Sequence, residues 1–197
     1  MVQRYVAVAV RGGGVFYLGG HRDATEAARR SVESSGDLDD PDDAVLVSLS
    51  AAAILAESGS VSDALAALDH IAADRSGPML GRILVQRAYV LHHAGELHEA
   101  LVALDRADQI FGSTPEAVDR HRLLVNRGLV LLQQGRLDAA EVDLREARAW
   151  AADEHLPSFE ATCAANLGVL HARARRIADS LEAFAEAQAL YEQAGDP

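Results

Sequence analysis

An all-α solenoid of antiparallel helix pairs is the fold class this sequence predicts, on three observations. The first is a phrase that returns along the chain: Gly59-Ser60-Val61-Ser62-Asp63-Ala64-Leu65, Gly95-Glu96-Leu97-His98-Glu99-Ala100-Leu101, Gly135-Arg136-Leu137-Asp138-Ala139-Ala140 and Arg175-Arg176-Ile177-Ala178-Asp179-Ser180-Leu181. Its anchors at 59, 95, 135 and 175 stand 36, 40 and 40 residues apart, a period that means stacked units rather than one closed core. The second is punctuation: Pro41, Pro78, Pro115, Pro157 and Pro197 all fall between copies, and proline suits the first turn of a helix but breaks its interior. The third is apolar spacing of three and four residues within each copy, the mark of a helix with one buried face.

Taken in order, residues 1–36 are expected to form a degenerate first pair. Gly19 lies forty residues before Gly59, with Ala24 and Ala28 at the expected offsets. The segment 3–18 (Val6–Val10, Gly12–Gly14, Val15–Leu18) also fits a β-hairpin; it is read as helical because neighbouring units offer a helical surface and no sheet. Residues 37–197 then hold four pairs, at about 42–74, 79–111, 116–154 and 158–194, each divided by its anchor turn. First helices carry Leu84, Ala88 and Leu91, or Leu124, Gly128 and Leu131. Second helices carry Leu97, Ala100, Leu101, Leu104 and Ala107, or Leu137, Ala140, Leu144 and Ala147, or Ile177, Leu181, Phe184 and Ala187. The small residues at Ala88, Gly128 and Gly168, and at Ala100, Ala140 and Ser180, mark close helix crossings, where a larger side chain forces backbones apart at about 1–3 kcal/mol.

Composition excludes several classes. Net charge is −12 and all 18 basic residues are arginine, a balance that argues against phosphate-backbone binding and so against nucleic acid. No stretch approaches the ~20 apolar residues of a membrane span. The apolar run near the N-terminus stops at Arg11 without a cleavage-like site, so a signal peptide is not expected. The single Cys163 cannot form an internal disulfide, which fits a reducing, cytoplasmic setting.

These residues resemble the tetratricopeptide repeat (TPR). Asn166-Leu167-Gly168 and Asn126-Arg127-Gly128 match its first-helix element, and Gly135-Arg-Leu-Asp-Ala-Ala140 with its relatives match its second-helix element. The match covers residues 44–194 well and 3–35 poorly. Units of 36–40 residues and Arg175 at the turn glycine depart from the family pattern. The resemblance implies a right-handed superhelix that binds protein or peptide in its concave groove. The long-repeat texture is similar to arrays that precede caspase-like CHAT protease domains in high-GC bacteria. The protease domain lies outside this sequence, so its Cys/His dyad is not carried over.

The candidate site is a ladder of amides nine residues before each anchor: Gln86, Asn126 and Asn166. An amide both donates and accepts, which suits a peptide backbone of any sequence. With helices about 8–10 Å apart and a strand rising about 3.3 Å per residue, one amide per repeat meets about every third ligand residue. The resemblance places peptide binding at this position. Arg82, Arg122 and Arg173 add cationic points able to grip carboxylates, and Tyr89, Leu129 and Val169 add apolar contact. Val85, His93, Val125, Gln133 and Thr162 complete the expected concave face. The plainer alternative is that the amides bond only local backbone or water, and that each arginine pairs with a nearby acid.

No enzymatic constellation is found. His92, His93 and His98 do not converge, Cys163 reads as a packed hydrophobe, and Gly12–Gly14 lacks a phosphate-loop context. Neither catalytic residues nor metal or cofactor sites are expected. The function read from the sequence is a non-enzymatic scaffold for a protein or peptide partner. The alternative is the sensor or assembly region of a CHAT-type protease or other signalling protein, with self-association through the apolar C-terminal helix (Ile177, Leu181, Phe184, Leu190, Tyr191). Trp150 and Phe159 are expected to close the last junction.

Overall fold

The computed structural model describes residues 21–35, 40–112 and 117–195. Among these it shows nine α-helices and no strand: α1 (His21–Ser35), α2 (Pro41–Glu57), α3 (Val61–Ala72), α4 (Gly77–Ala94), α5 (Leu97–Phe111), α6 (Ala117–Gln133), α7 (Leu137–Asp153), α8 (Pro157–Arg173) and α9 (Ile177–Ala194). The choice between helix and hairpin for 3–18 lies outside the described residues. Pro41, Pro78 and Pro157 each stand in the first turn of a helix, as expected of a residue that lacks an amide hydrogen. Pro115 and Pro197 lie outside the described residues.

Each anchor turn has the same geometry. The Gly95 amide donates to the His92 carbonyl and the Glu96 amide to that of Leu91, at 3.1 and 2.9 Å. Gly135 with Arg136 repeats this pair of bonds, as do Gly59 with Ser60 and Arg175 with Arg176. This is the Schellman closure, which satisfies carbonyls at the end of one helix with a left-handed residue and directs the chain back along the next. Gly59, Gly95 and Gly135 adopt φ of 82°, 82° and 77°. Arg175 adopts φ 59° in the same role, where its Cβ crowds the backbone and glycine would not. Arg175→Gly is therefore expected to raise stability by up to about 1 kcal/mol, read as a higher denaturation midpoint at unchanged m-value. His155 (φ 56°) makes the same closure between α7 and α8, a turn with no glycine to announce it in the sequence.

The chain divides into two compact units, residues 1–114 and 115–197. In the first, α2 packs on α1 and α3, and α4 packs on α2, α3 and α5. Ala28, Val45, Ala52, Leu55, Leu68, Ile83 and Val90 form its core. In the second, α6 packs on α7 and α8, α7 on α8, and α8 on α9. Leu123, Leu144, Ala147, Ala161, Cys163 and Leu170 are fully buried there.

The small residues mark close crossings, as predicted. Ala88, Ala100 and Ala140 have no exposed surface. A Cβ on Gly128 would lie 2.9 Å from Leu144 Cγ, and one on Gly168 2.9 Å from the Phe184 ring. Ser180 Oγ donates to the Gly168 carbonyl at 2.8 Å, a bond possible only at such approach. A third contact was not foreseen: a Cβ on Gly81 would lie 2.5 Å from Phe111 Cε1.

Candidate functional site

In the first unit, α4 carries Arg82, Gln86 and Tyr89 at helical spacing. Tyr89 is tied down: its hydroxyl donates to Glu57 Oε1 of α2 at 2.7 Å, and its ring lies 4.4 Å from that of His93. Arg82 is half-buried and already engaged. The Gln86 Nε2 is buried and has no hydrogen-bond partner among the described residues.

In the second unit, α6 and α8 are neighbours. Asn126 and Asn166 occupy equivalent positions on them, nine residues before their turns, and both are half-buried. Asn126 Nδ2 donates to the Arg122 carbonyl one turn back, at 2.9 Å. That uses one of its two amide hydrogens and leaves the side-chain oxygen able to accept. Arg122 is exposed, Leu129 half-buried and Val169 39% exposed. Arg173 is not simply a cation presented to a ligand. Its Nη1 donates at 2.9 Å to the Leu132 carbonyl, in the last turn of α6, where the carbonyl end of the helix dipole favours positive charge. Val125, expected on the ligand face, is 8% exposed and belongs to the core.

Two polar centres of the second unit were missed by the sequence reading. Asp143, 6% exposed, accepts from Arg127 Nε at 2.8 Å and Nη2 at 2.9 Å, a two-pronged pair between α7 and α6. Glu141 accepts from both Arg176 Nη atoms, at 3.3 and 2.6 Å, and pairs with Arg145 at 2.6 Å. A signal for both was present. Position 143 carries a carboxylate where the other copies have Ala67, Ala103 and Ala183, and position 141 one where they have Leu65, Leu101 and Leu181.

The Arg176 hydrogen bond, helped by the Arg145 charge, holds the Glu141 carboxyl below its ordinary 4.5 against the opposing effect of burial. The folded chain therefore binds that proton less readily than the unfolded chain. Glu141 thus stabilises the fold at pH above the unfolded value and loses that contribution as pH falls through the folded one. Glu141→Gln is expected to lower stability at neutral pH and flatten the acid limb of a plot of unfolding free energy against pH.

Cys163 is not poised as a nucleophile. Burial pushes the Cys163 thiol up to about 12, so at neutral pH it is a protonated, packed group. Among the described residues, no three of His, Cys, Asp and Glu gather where they could hold a metal ion. His121 stacks on Trp150 at 4.2 Å, and Phe159 meets Trp150 edge-on at 5.7 Å, which closes the α7–α8 junction with aromatic contact. No described helix is long and apolar enough to cross a membrane.

No protein-family model matches the sequence, and neither does any curated protein. Solved structures do resemble it. BtubC (BKLC) from P. vanneervenii superposes with a TM-score of 0.56 at 19% identity, covering 99% of this chain and 85% of that one. A kinesin light chain from Podospora anserina with nearly identical TPR-like repeats gives 0.59 at 16% identity, covering 98% and 92%. At these identities the likeness establishes the fold: an all-α repeat fold of the TPR-like solenoid class.

Proposed function

We propose that this chain, a TPR-like helical-repeat scaffold by its fold, binds a protein partner through an extended peptide and performs no chemistry of its own. The observation that carries this reading is the pair Asn126 and Asn166. They are half-exposed amides in equivalent register on two touching helices, with Arg122 and Val169 exposed on the same two helices. Asn126 and Asn166 would bond the backbone of the peptide, Arg122 a carboxylate of it, and Leu129 and Val169 its apolar side chains. Gln86, Arg82 and Tyr89 would make the corresponding contacts on the first unit. Arg173 would act by fixing the end of α8 to α6.

Affinity capture with mass spectrometry, followed by anisotropy titration of a peptide from the captured protein, tests this. Asn126→Ala with Asn166→Ala should weaken the peptide by about 1–3 kcal/mol, since each neutral hydrogen bond nets roughly 0.5–1.5 kcal/mol. An unchanged affinity removes the amide ladder.

One observation favours the assembly reading, in which the chain is a sensor or assembly region such as that of CHAT-type proteases. Ile177, Leu181 and Phe184 of α9 are 59%, 66% and 41% exposed, an apolar stripe of the kind that marks an interaction surface. Sedimentation of the purified chain at micromolar concentration checks it: a monomer ends the self-association reading.

A further inference from the structure

A cleft of about 480 Å³ opens between α3, α4 and α5 in the first unit. Half-buried Leu80 and Ala72 give it an apolar patch above the buried Leu68 and Leu84, and its lining includes Arg75, Arg87, Arg106 and a single carboxylate, Asp69. Leu80, Leu84 and Arg87 of α4, which line the cleft together with Ile83, lie on the face of that helix opposite Arg82, Gln86 and Tyr89, at about 100° per residue. The cleft is therefore separate from the amide ladder.

The charge at this place runs against that of the whole chain. The sequence carries a net −12, yet three guanidinium groups border the cleft against one acid. Arg87 forms an ion pair with Asp69, and Arg75 is engaged as well. Arg106, exposed on α5, has no hydrogen bond or ion pair among the described residues. With Arg87 and Arg75 engaged, Arg106 is the guanidinium at this rim that an incoming anion would meet. The guanidinium fork is suited to carboxylates.

We propose that this cleft is a second binding site, and that it takes an acidic peptide segment in which a carboxylate stands beside a large apolar side chain. A carboxylate reaches Arg106, while the apolar side chain covers Leu80 and Ala72. A small inorganic anion satisfies Arg106 and leaves this apolar patch wet; a neutral apolar peptide does the reverse. The mixed lining selects a ligand with both features.

Selection of a random phage-displayed peptide library on the intact chain tests this. The expected result is enrichment of sequences with Asp or Glu next to Leu, Ile, Phe or Met. The synthetic peptides should bind about tenfold more weakly to Arg106→Gln and about a hundredfold more weakly to Arg106→Glu, with affinity falling as salt rises. Arg106 is exposed and, among the described residues, unpaired, so these variants should keep the native melting temperature. If either does not, Ala73→Trp, at an exposed lining position, provides an independent block of the cleft. The Asn126→Ala, Asn166→Ala chain should bind the selected peptides unchanged, which separates failure here from failure of the ladder. No enrichment, selected peptides without acidic residues, or equal binding to Arg106→Gln would each overturn the proposal. So would displacement by millimolar inorganic phosphate of peptides that show no apolar preference.

Discussion

Leu144→Ala is expected to lower the stability of the second unit by about 3 kcal/mol, in the usual range of roughly 2–5 kcal/mol for truncating a fully buried leucine. Leu144 has no exposed surface and lies where α7 crosses α6, against the backbone at Gly128. The opposing position, Gly128, has no side chain that could swing in to fill the space. Chemical denaturation monitored at Trp150, which reports on this unit, measures the loss. Gly128→Ala tests the same contact from the other side. Its new Cβ would meet Leu144 at 2.9 Å, and the resulting strain of about 1–3 kcal/mol opposes a gain of about 1 kcal/mol in helix propensity. The two changes together should cost less than their sum, since the added methyl occupies part of the volume that Leu144→Ala vacates. Gly168→Ala should be near neutral, because the ring it meets belongs to Phe184, 41% exposed and able to move outward.

Arg127→Met is expected to cost about 3 kcal/mol, the lower end of what stranding one member of a buried ion pair removes. The lower end applies because the Arg127 side chain is 25% exposed while that of Asp143 is 8% exposed. The loss comes from Asp143, left as an unpaired carboxylate between helices. Arg127→Met with Asp143→Leu should recover most of it, since an apolar pair of similar size avoids desolvating either charge. Should the double variant unfold as readily as the single one, the pair would be acting through something other than mutual compensation.

Much of the fold was legible because its information is local. Gly59, Gly95 and Gly135 mark the left-handed turns, Pro41, Pro78 and Pro157 the helix starts, and Ala100 and Ala140 the close crossings. Each signal acts over a few residues, within reach of inspection. His155 was not legible, because a histidine in a left-handed turn looks like any other histidine. The candidate site was less legible for a related reason. Periodicity singled out Asn126 and Asn166, but it could not show that Arg173 spends a donor on the Leu132 carbonyl or that Val125 turns inward. Those outcomes depend on side-chain reach between helices about forty residues apart in sequence. Asp143 and Glu141 were detectable as breaks in the repeat, acids where the sister positions hold alanine and leucine. Their partners, Arg127 and Arg176, became evident only when α6, α7 and the α8–α9 turn were placed in space.

Within each unit, the contacts among the described helices run from one helix to the next one or two along the chain. Closing any one of them orders only a short span, so little loop entropy stands between the unfolded chain and its first native structure. The same arrangement confines damage. A fluctuation that frees one helix removes support from its immediate neighbours and from little else, so amide-exchange protection should vary in steps along the chain. The chain can therefore loosen locally while the rest of it stays folded.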